Sequence, residues 1–191
     1  MPRATAAEAA ATAHRIRDVA ITAFAHHGFA GVSVEDIAQA AGVTRGAVYH
    51  HFSSKQGLFA AVVEELHRCV ADAIVTVADA AGESPWDQLV AGSHAFIDAI
   101  TEGDAARVLL LEAPAAIGWA QWRALDDAAS GVQLRDALAN CGLSGDEAAA
   151  LAPQLSGAMN EAALWIIERG GDSASRRSAH AALDRLLASV R

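Results

Sequence analysis

Residues 33–55 read SVEDIAQAAGVTRGAVYHHFSSK. Ser33 has the hydroxyl of a helix N-cap, and Asp36, three residues on, suits the positive end of the helix it opens. Gly42 ends that short helix, because glycine fits the left-handed position that follows a helix. Thr44 caps a second helix, RGAVYHHF. Ile37 and Val48 are apolar where the two helices must touch, Ala38 is small at their closest approach, and Val43 plugs the turn. Val48 and Phe52, four residues apart, face inward together. Two short helices joined by a tight glycine turn make a helix-turn-helix.

The residues left on the outside are Arg45, Gly46, Tyr49 and His50, and their chemistry suits a DNA major groove. Thr44 and the free amides beside it can bind a phosphate. Arg45 can fork onto guanine O6 and N7. Gly46 and Ala47 let the backbone come close, and Ala47 can touch a thymine methyl. Tyr49 can donate to a phosphate, and His50 can meet a phosphate or a base edge. Lys55, opening the next helix, and Ser33 are expected phosphate contacts on either side.

Outward from this stretch the chain reads as helix throughout. A first helix is expected over residues 8–27, with Ile16, Val19, Ala20, Ala23 and Phe24 as its stripe and Gly28 as its stop. A fourth, capped by Ser53 or Ser54, is expected over 55–80 with Phe59, Val62, Leu66, Val70, Ala73 and Val77 on one face; its length is roughly 38 Å. Ser84-Pro85 opens a fifth. A sixth is expected from Asp104 to Glu112, ending before Pro114, and a seventh over 117–140. Ser144 and Glu147 form a capping box for an eighth, which ends at Gly170-Gly171, and a ninth covers 173–190. No strand pattern, linker or repeat of useful length occurs, so the fold class is all-α, with about nine helices.

A chain of 191 residues that is 53% hydrophobic can bury an ordinary core and is not disordered. No apolar run is long enough for a bilayer, and the N-terminal residues lack a secretory core, so a cytoplasmic protein with no membrane partner is expected. The two cysteines, Cys69 and Cys141, are expected to be buried thiols. The net charge of −9 is uneven. Residues 1–55 hold five basic and four acidic groups with five of the eight histidines, whereas 56–191 hold nine basic and nineteen acidic groups. This asymmetry divides the chain into a DNA-binding domain, 1–55, and an acidic second domain, 56–191. The long fourth helix is expected to keep the acidic bulk away from DNA, where screening acts within about 8 Å.

From Ala20 the chain follows AxxxFAxxGFxGVSVEDIAQAAGVTRGAVYHHFSSKQGLF. The pattern of Gly28-Phe29, Ile37-Ala38, Ala41-Gly42-Val43, Tyr49, Phe52, Lys55 and Leu58-Phe59 resembles the N-terminal signature of the tetracycline-repressor (TetR) family of bacterial transcription regulators, across residues 12–66. The resemblance implies DNA contacts by Thr44, Arg45, Tyr49, His50 and Lys55. His50-His51 departs from it, since many relatives carry a basic residue at one of these places. It also implies nine or ten helices, a homodimer through the last two helices and a ligand cavity in the C-terminal domain. RVLLLEAPAAIGWAQWRALD looks like a recurrent C-terminal subtype of that family.

Over 144–190 the residues themselves fit dimerisation. Leu151, Leu155, Ala158, Met159, Ala162 and Ile166 make the eighth helix too broadly apolar for one contact. With aromatics at only 5% of the chain, the tryptophans of the second domain are candidates to line the cavity. The candidate pocket residues are His67, Phe96, Glu112, Trp119, Trp122, Asn160 and Trp165. The single Glu-x-x-His, Glu64 to His67, lacks the second copy that a di-iron bundle needs. No P-loop, nucleophile elbow or zinc cluster occurs, so neither an enzyme nor a cofactor is expected. A nonspecific nucleoid binder would need a large basic surface, which the sequence lacks. The expected function is a repressor released from a double-stranded operator by an unidentified small molecule.

Overall fold

The computed structural model describes residues 6–103 and 105–190. Asp104, the expected start of the sixth helix, lies outside the described residues. Among them, every regular element is helical, and nine helices follow in order. These are α1 (Ala6–Gly31), α2 (Val34–Ala40), α3 (Arg45–Phe52), α4 (Lys55–Ala80) and α5 (Pro85–Thr101). Then come α6 (107–116), α7 (119–140), α8 (Gly145–Glu168) and α9 (Ser173–Ala188). Two contain wider π-helical winding, Arg107–Glu112 in α6 and Asp127–Gly131 in α7. No helix of the described residues is long and apolar enough to cross a membrane.

The chain forms two compact units. One runs to Glu65 and takes in Arg107–Trp122; the other comprises Leu66–Ala106 and the chain from Arg123 onward. The division thus falls within α4, not at its start.

In the first unit, Ile16, Ala20 and Phe24 form the fully buried stripe of α1. The Phe24 and Phe59 rings meet edge-to-face at 4.9 Å, and Phe29 joins them 5.0 Å from Phe59. At Gly28, φ +72 and ψ 166 break the regular winding of α1 before its last turn. The expected stop at Gly28 is therefore a kink, with helical turns resuming as far as Gly31. The kink places the Phe29 N–H against Glu112 Oε2 at 2.7 Å. Arg107 donates to the Ala25 and His26 carbonyls, each at 3.3 Å, and lies 3.5 Å from Glu112 Oε1. Residues five apart share a side here because the i→i+5 winding brings them together. α6 also continues past Pro114, to Ala116. Regular α-winding begins afresh at Ala113 after the π-helical stretch, so Pro114 falls in the first turn of that segment, where its missing N–H costs least, and the expected stop fails there.

The second unit packs α5 against α7, α8 and α9. Phe96, Ile97, Ile100, Leu138, Ile166 and Leu187 are buried in its core. Arg176 ties α9 to α5, donating to Asp98 Oδ1 at 2.8 Å and to Thr101 Oγ1 at 2.7 Å. Two sequence expectations fail in this unit. Val77 is exposed, because the buried stripe of α4 turns away after Val70 and Ala71. Cys69, next to that stripe, is exposed as well, and Cys141 is half-buried.

A Cβ at Gly28 would stand 2.5 Å from Glu112 Oε1 on a backbone that side chains rarely adopt. Gly28→Ala is expected to lose about 1–3 kcal/mol in chemical denaturation. An unchanged midpoint would show that the kink and its carboxylate partner do not brace the first unit.

Candidate nucleic-acid interface and ligand cavity

The candidate interface is built by caps. The Ser33 hydroxyl accepts from the Asp36 N–H at 3.1 Å, and the Ser33 N–H donates back to Asp36 Oδ2 at 3.1 Å. The Ser33 hydroxyl in turn donates to Asp36 Oδ2 at 2.6 Å, and this bond, with the Ser33 N–H bond second, holds the Asp36 carboxyl below its ordinary range. Gly42, at φ +65, makes the turn, and the Val43 N–H closes it on the Ala38 carbonyl at 2.9 Å. Thr44 Oγ1 accepts from the Ala47 N–H at 3.2 Å, and the Arg45 and Gly46 amides ahead of it have no intrahelical acceptor.

α3 is oriented by one deeply buried residue, Val48, at 1% exposure, with Phe52 half-buried beside it. Thr44, Arg45, Gly46, Tyr49 and His50 are exposed together, and Ala47 is half-buried. Arg45 Nη2 donates to the Tyr49 hydroxyl at 3.2 Å, and its guanidinium stands 5.4 Å from the Tyr49 ring centroid. That hydrogen bond pushes the Arg45 guanidinium up from its already high value, so it is charged. Lys55 is half-buried, its ammonium 4.6 Å from the Phe29 ring centroid, a cation–π contact that holds it at the start of α4.

Sequence reasoning missed Gly57, where a Cβ would collide with the Phe52 carbonyl oxygen. Its absence lets α4 start directly behind α3. Ser54, not Ser53, caps α4, accepting from the Gly57 N–H at 2.9 Å. Ser53 takes the left-handed conformation at φ 63.

The second unit holds a half-open cavity of about 260 Å³ among α4, α5, α7 and α8. Ile74, Leu89, Phe96, Leu134 and Met159 give it an apolar wall, and Ser93, Gln133 and Ser156 are among its polar lining. Of the seven candidate pocket residues, only Phe96 is in that lining. Glu112, Trp119 and Trp122 belong to the first unit. There Glu112 holds the Phe29 amide, the Trp122 indole donates to the Leu109 carbonyl at 2.7 Å, and Trp119 is 65% exposed. Asn160 is half-buried, with a buried Oδ1 that has no hydrogen-bond partner, and Trp165 lies on the α8–α9 face under the Arg169 guanidinium at 4.0 Å.

His67 is a buried group behind the cavity, its Nδ1 4.0 Å from Asp126 Oδ1. Burial pushes the imidazole down to about 4 and the Asp126 carboxyl up. Arg123, at 3.0 Å, and the Ser156 hydroxyl, at 3.4 Å, bond to Asp126 Oδ2. The sequence did carry a sign of the true lining. Ser130, Gln133, Leu134, Ala137 and Asn140 recur at helical spacing as one small and polar face. Aromatic scarcity drew attention to the tryptophans instead. No cluster of three or more metal-ligating side chains occurs among the described residues.

Two family models match the chain. Residues 16–62 match "Bacterial regulatory proteins, tetR family", and residues 86–190 match "Tetracyclin repressor-like, C-terminal domain". The HTH-type transcriptional regulator AcrR of Shigella flexneri is 47% identical over 64 residues, 34% of this chain and 30% of that protein. The probable acrEF/envCD operon repressor of Escherichia coli K12 is 48% identical over 59 residues, 31% of this chain and 27% of that protein. The chain thus matches less than a third of the length of these curated relatives. Among solved structures, a TetR-family transcriptional regulator from Pectobacterium atrosepticum superposes with a TM-score of 0.78 at 28% identity, covering 98% of this chain and 97% of that one. FadR of Bacillus subtilis in complex with stearoyl-CoA has the same fold, with a TM-score of 0.77 at 17% identity, covering 93% of this chain and 98% of that one.

The buried His67 gives a pH signature with a definite sign. An unfolded histidine takes its proton near pH 6.5, while the folded one waits until about 4. Through His67 stability is therefore lost as pH falls through that window, by about 2 kcal/mol between pH 7 and 5, while the raised Asp126 carboxyl beside it acts in the opposite sense. Urea melts at the two pH values should show that loss, and His67→Gln should remove it. An equal slope in the variant would show that His67 is not the group responsible.

Proposed function

The chain belongs to the tetracycline-repressor (TetR) family of bacterial regulatory proteins, and on that premise we propose that it is a transcriptional repressor that a small molecule releases from its operator. The observation that carries this function is the exposed row of Arg45, Gly46, Tyr49 and His50, on a helix held by Val48 from behind. Arg45 reads one guanine per half-site, and the Tyr49 hydroxyl presets its fork by bonding one guanidinium nitrogen. Thr44, Tyr49, His50, Ser33 and Lys55 meet phosphates and set the register.

The protein acts as a homodimer through α8 and α9. Support comes from an open apolar groove of about 340 Å³ on those helices, lined by Ala158, Ala162, Trp165, Ala182 and Leu186 among others. Leu186 is 48% exposed in the single chain. A two-fold pair presents two α3 helices to half-sites one DNA turn apart, roughly 34–36 Å, or a multiple of it.

The effector occupies the cavity of the second unit. α4 contributes Phe59 and Val62 to the buried core of the first unit and Ile74 and Ala78 to the cavity wall. A ligand that binds better when α4 is displaced favours a state in which the spacing of the reading helices no longer matches the groove repeat. Only such differential affinity shifts the equilibrium.

Selection of bound fragments from a random duplex library tests the reading face. The wild type is expected to enrich a two-fold symmetric motif. Arg45→Ala should lose preference at one base pair per half-site, a discrimination of about 1–3 kcal/mol. An identical motif from the variant would refute the assigned face. Leu186→Glu should yield a single-chain mass in light scattering at micromolar concentration and weaken operator binding. A dimer that persists would place the interface elsewhere.

A further inference from the structure

The cavity in the second unit carries a consistent sign of charge. Among the described residues, its only charged lining side chains are Asp79 at the end of α4 and Asp136 on α7, and no lysine, arginine or histidine lines it. Both carboxylates are exposed, and neither forms an ion pair with a described residue. Arg135, next to Asp136 in the chain, is bonded to Asp127, and its guanidinium feels the Asp136 charge without pairing with it. The backbone has the same polarity. α4 ends at Ala80 and α7 at Asn140, and the last turns of both line the cavity with no basic side chain to offset their negative ends. The positive end of α5, beginning at Pro85, is offset by Asp87 in its own first turn.

Most of the hydrogen-bond donors in the lining are already committed, the carboxamides of Gln133 and Asn140 being the exceptions. Three lining hydroxyls are already committed as donors: Ser93 to the Leu89 carbonyl at 2.7 Å, Ser130 to the Asp126 carbonyl at 3.4 Å and Ser156 to Asp126 Oδ2 at 3.4 Å. Gln88 donates to the Gly82 carbonyl at 2.6 Å. In contrast, Gln133 Oε1 is a fully buried acceptor with no partner. A buried acceptor left unpaired is costly, so an occupant that donates to it is favoured.

Building on the effector site proposed above, we infer that the occupant is a small, cationic, amphipathic amine. Its apolar body lies against Leu89, Phe96, Leu134 and Met159. Its ammonium lies toward Asp79 and Asp136, and a donor meets Gln133. About 260 Å³ is roughly nine water volumes, room for an occupant of on the order of ten non-hydrogen atoms. An anion of the same size would face two carboxylates and two helix C-termini with no countercharge.

Three probes of matched shape test this by calorimetry on the full chain: 3-phenylpropan-1-amine, 3-phenylpropan-1-ol and 3-phenylpropanoate. The amine should bind tightest and the carboxylate weakest. Asp79→Asn with Asp136→Asn, both at exposed positions that tolerate the change, should weaken the amine about three- to tenfold and leave the alcohol unchanged. Gln133→Leu should weaken amine and alcohol alike. Carboxylate binding as tight as amine binding, an amine preference that survives in the double variant, or no saturable binding of the amine would each overturn the inference. Operator release is measured separately. Amine binding that leaves operator affinity intact would count against the repressor mechanism while sustaining the ligand class.

Discussion

An eight-residue helix does not hold itself in water, because its nucleation cost exceeds what so few turns return. α3 exists because Val48 is buried and because Thr44, Gly42 and Gly57 fix where it begins and how closely α4 follows it. The outward direction of Arg45 and Tyr49 follows from that single inward anchor. Helical geometry leaves the side opposite Val48 no choice but solvent or a partner. The Phe24, Phe29 and Phe59 cluster then fastens α1 to the first turns of α4.

The electrostatics of this unit constrain how it can use DNA. α2 carries Glu35 and Asp36 in its first turn, while the sequence from Ser33 to Lys55 supplies only Arg45 and Lys55 as permanent cations. On the proposed function, counterion release therefore supplies only modest affinity. Discrimination has to come from directed contacts, which a guanidinium set by a tyrosine hydroxyl provides better than a free lysine does. The same economy of charge separates a sequence-reading protein from one that coats DNA.

Much of this was legible because caps and glycines act locally. Ser33 with Asp36, Thr44, Ser84 with Pro85, and Ser144 with Glu147 each cap the helix they were expected to open, and α4 spans the expected residues. The π-helical stretches left no local sign, since Arg107–Glu112 reads as ordinary amphipathic helix until Glu112 is seen bonded to Phe29. The cavity was less legible for a related reason. Which side chains surround an empty volume depends on how four helices pack, and composition alone favoured the tryptophans. Trp122 commits its indole N–H to a backbone carbonyl, and Trp119 faces water, whereas the lining is mostly small and aliphatic, with Phe96, Gln133 and two aspartates among it. Gly92 shows the scale of such packing, for a Cβ there would meet the Ile74 side chain at 3.3 Å.

The most direct measurement is a crystal structure of the protein on a duplex recovered by selection. The account predicts α3 of each protomer in successive major grooves, with the Arg45 guanidinium forked onto a guanine and Thr44 at a phosphate. A complex in which α3 faces solvent, or in which Arg45 contacts no base, would contradict it.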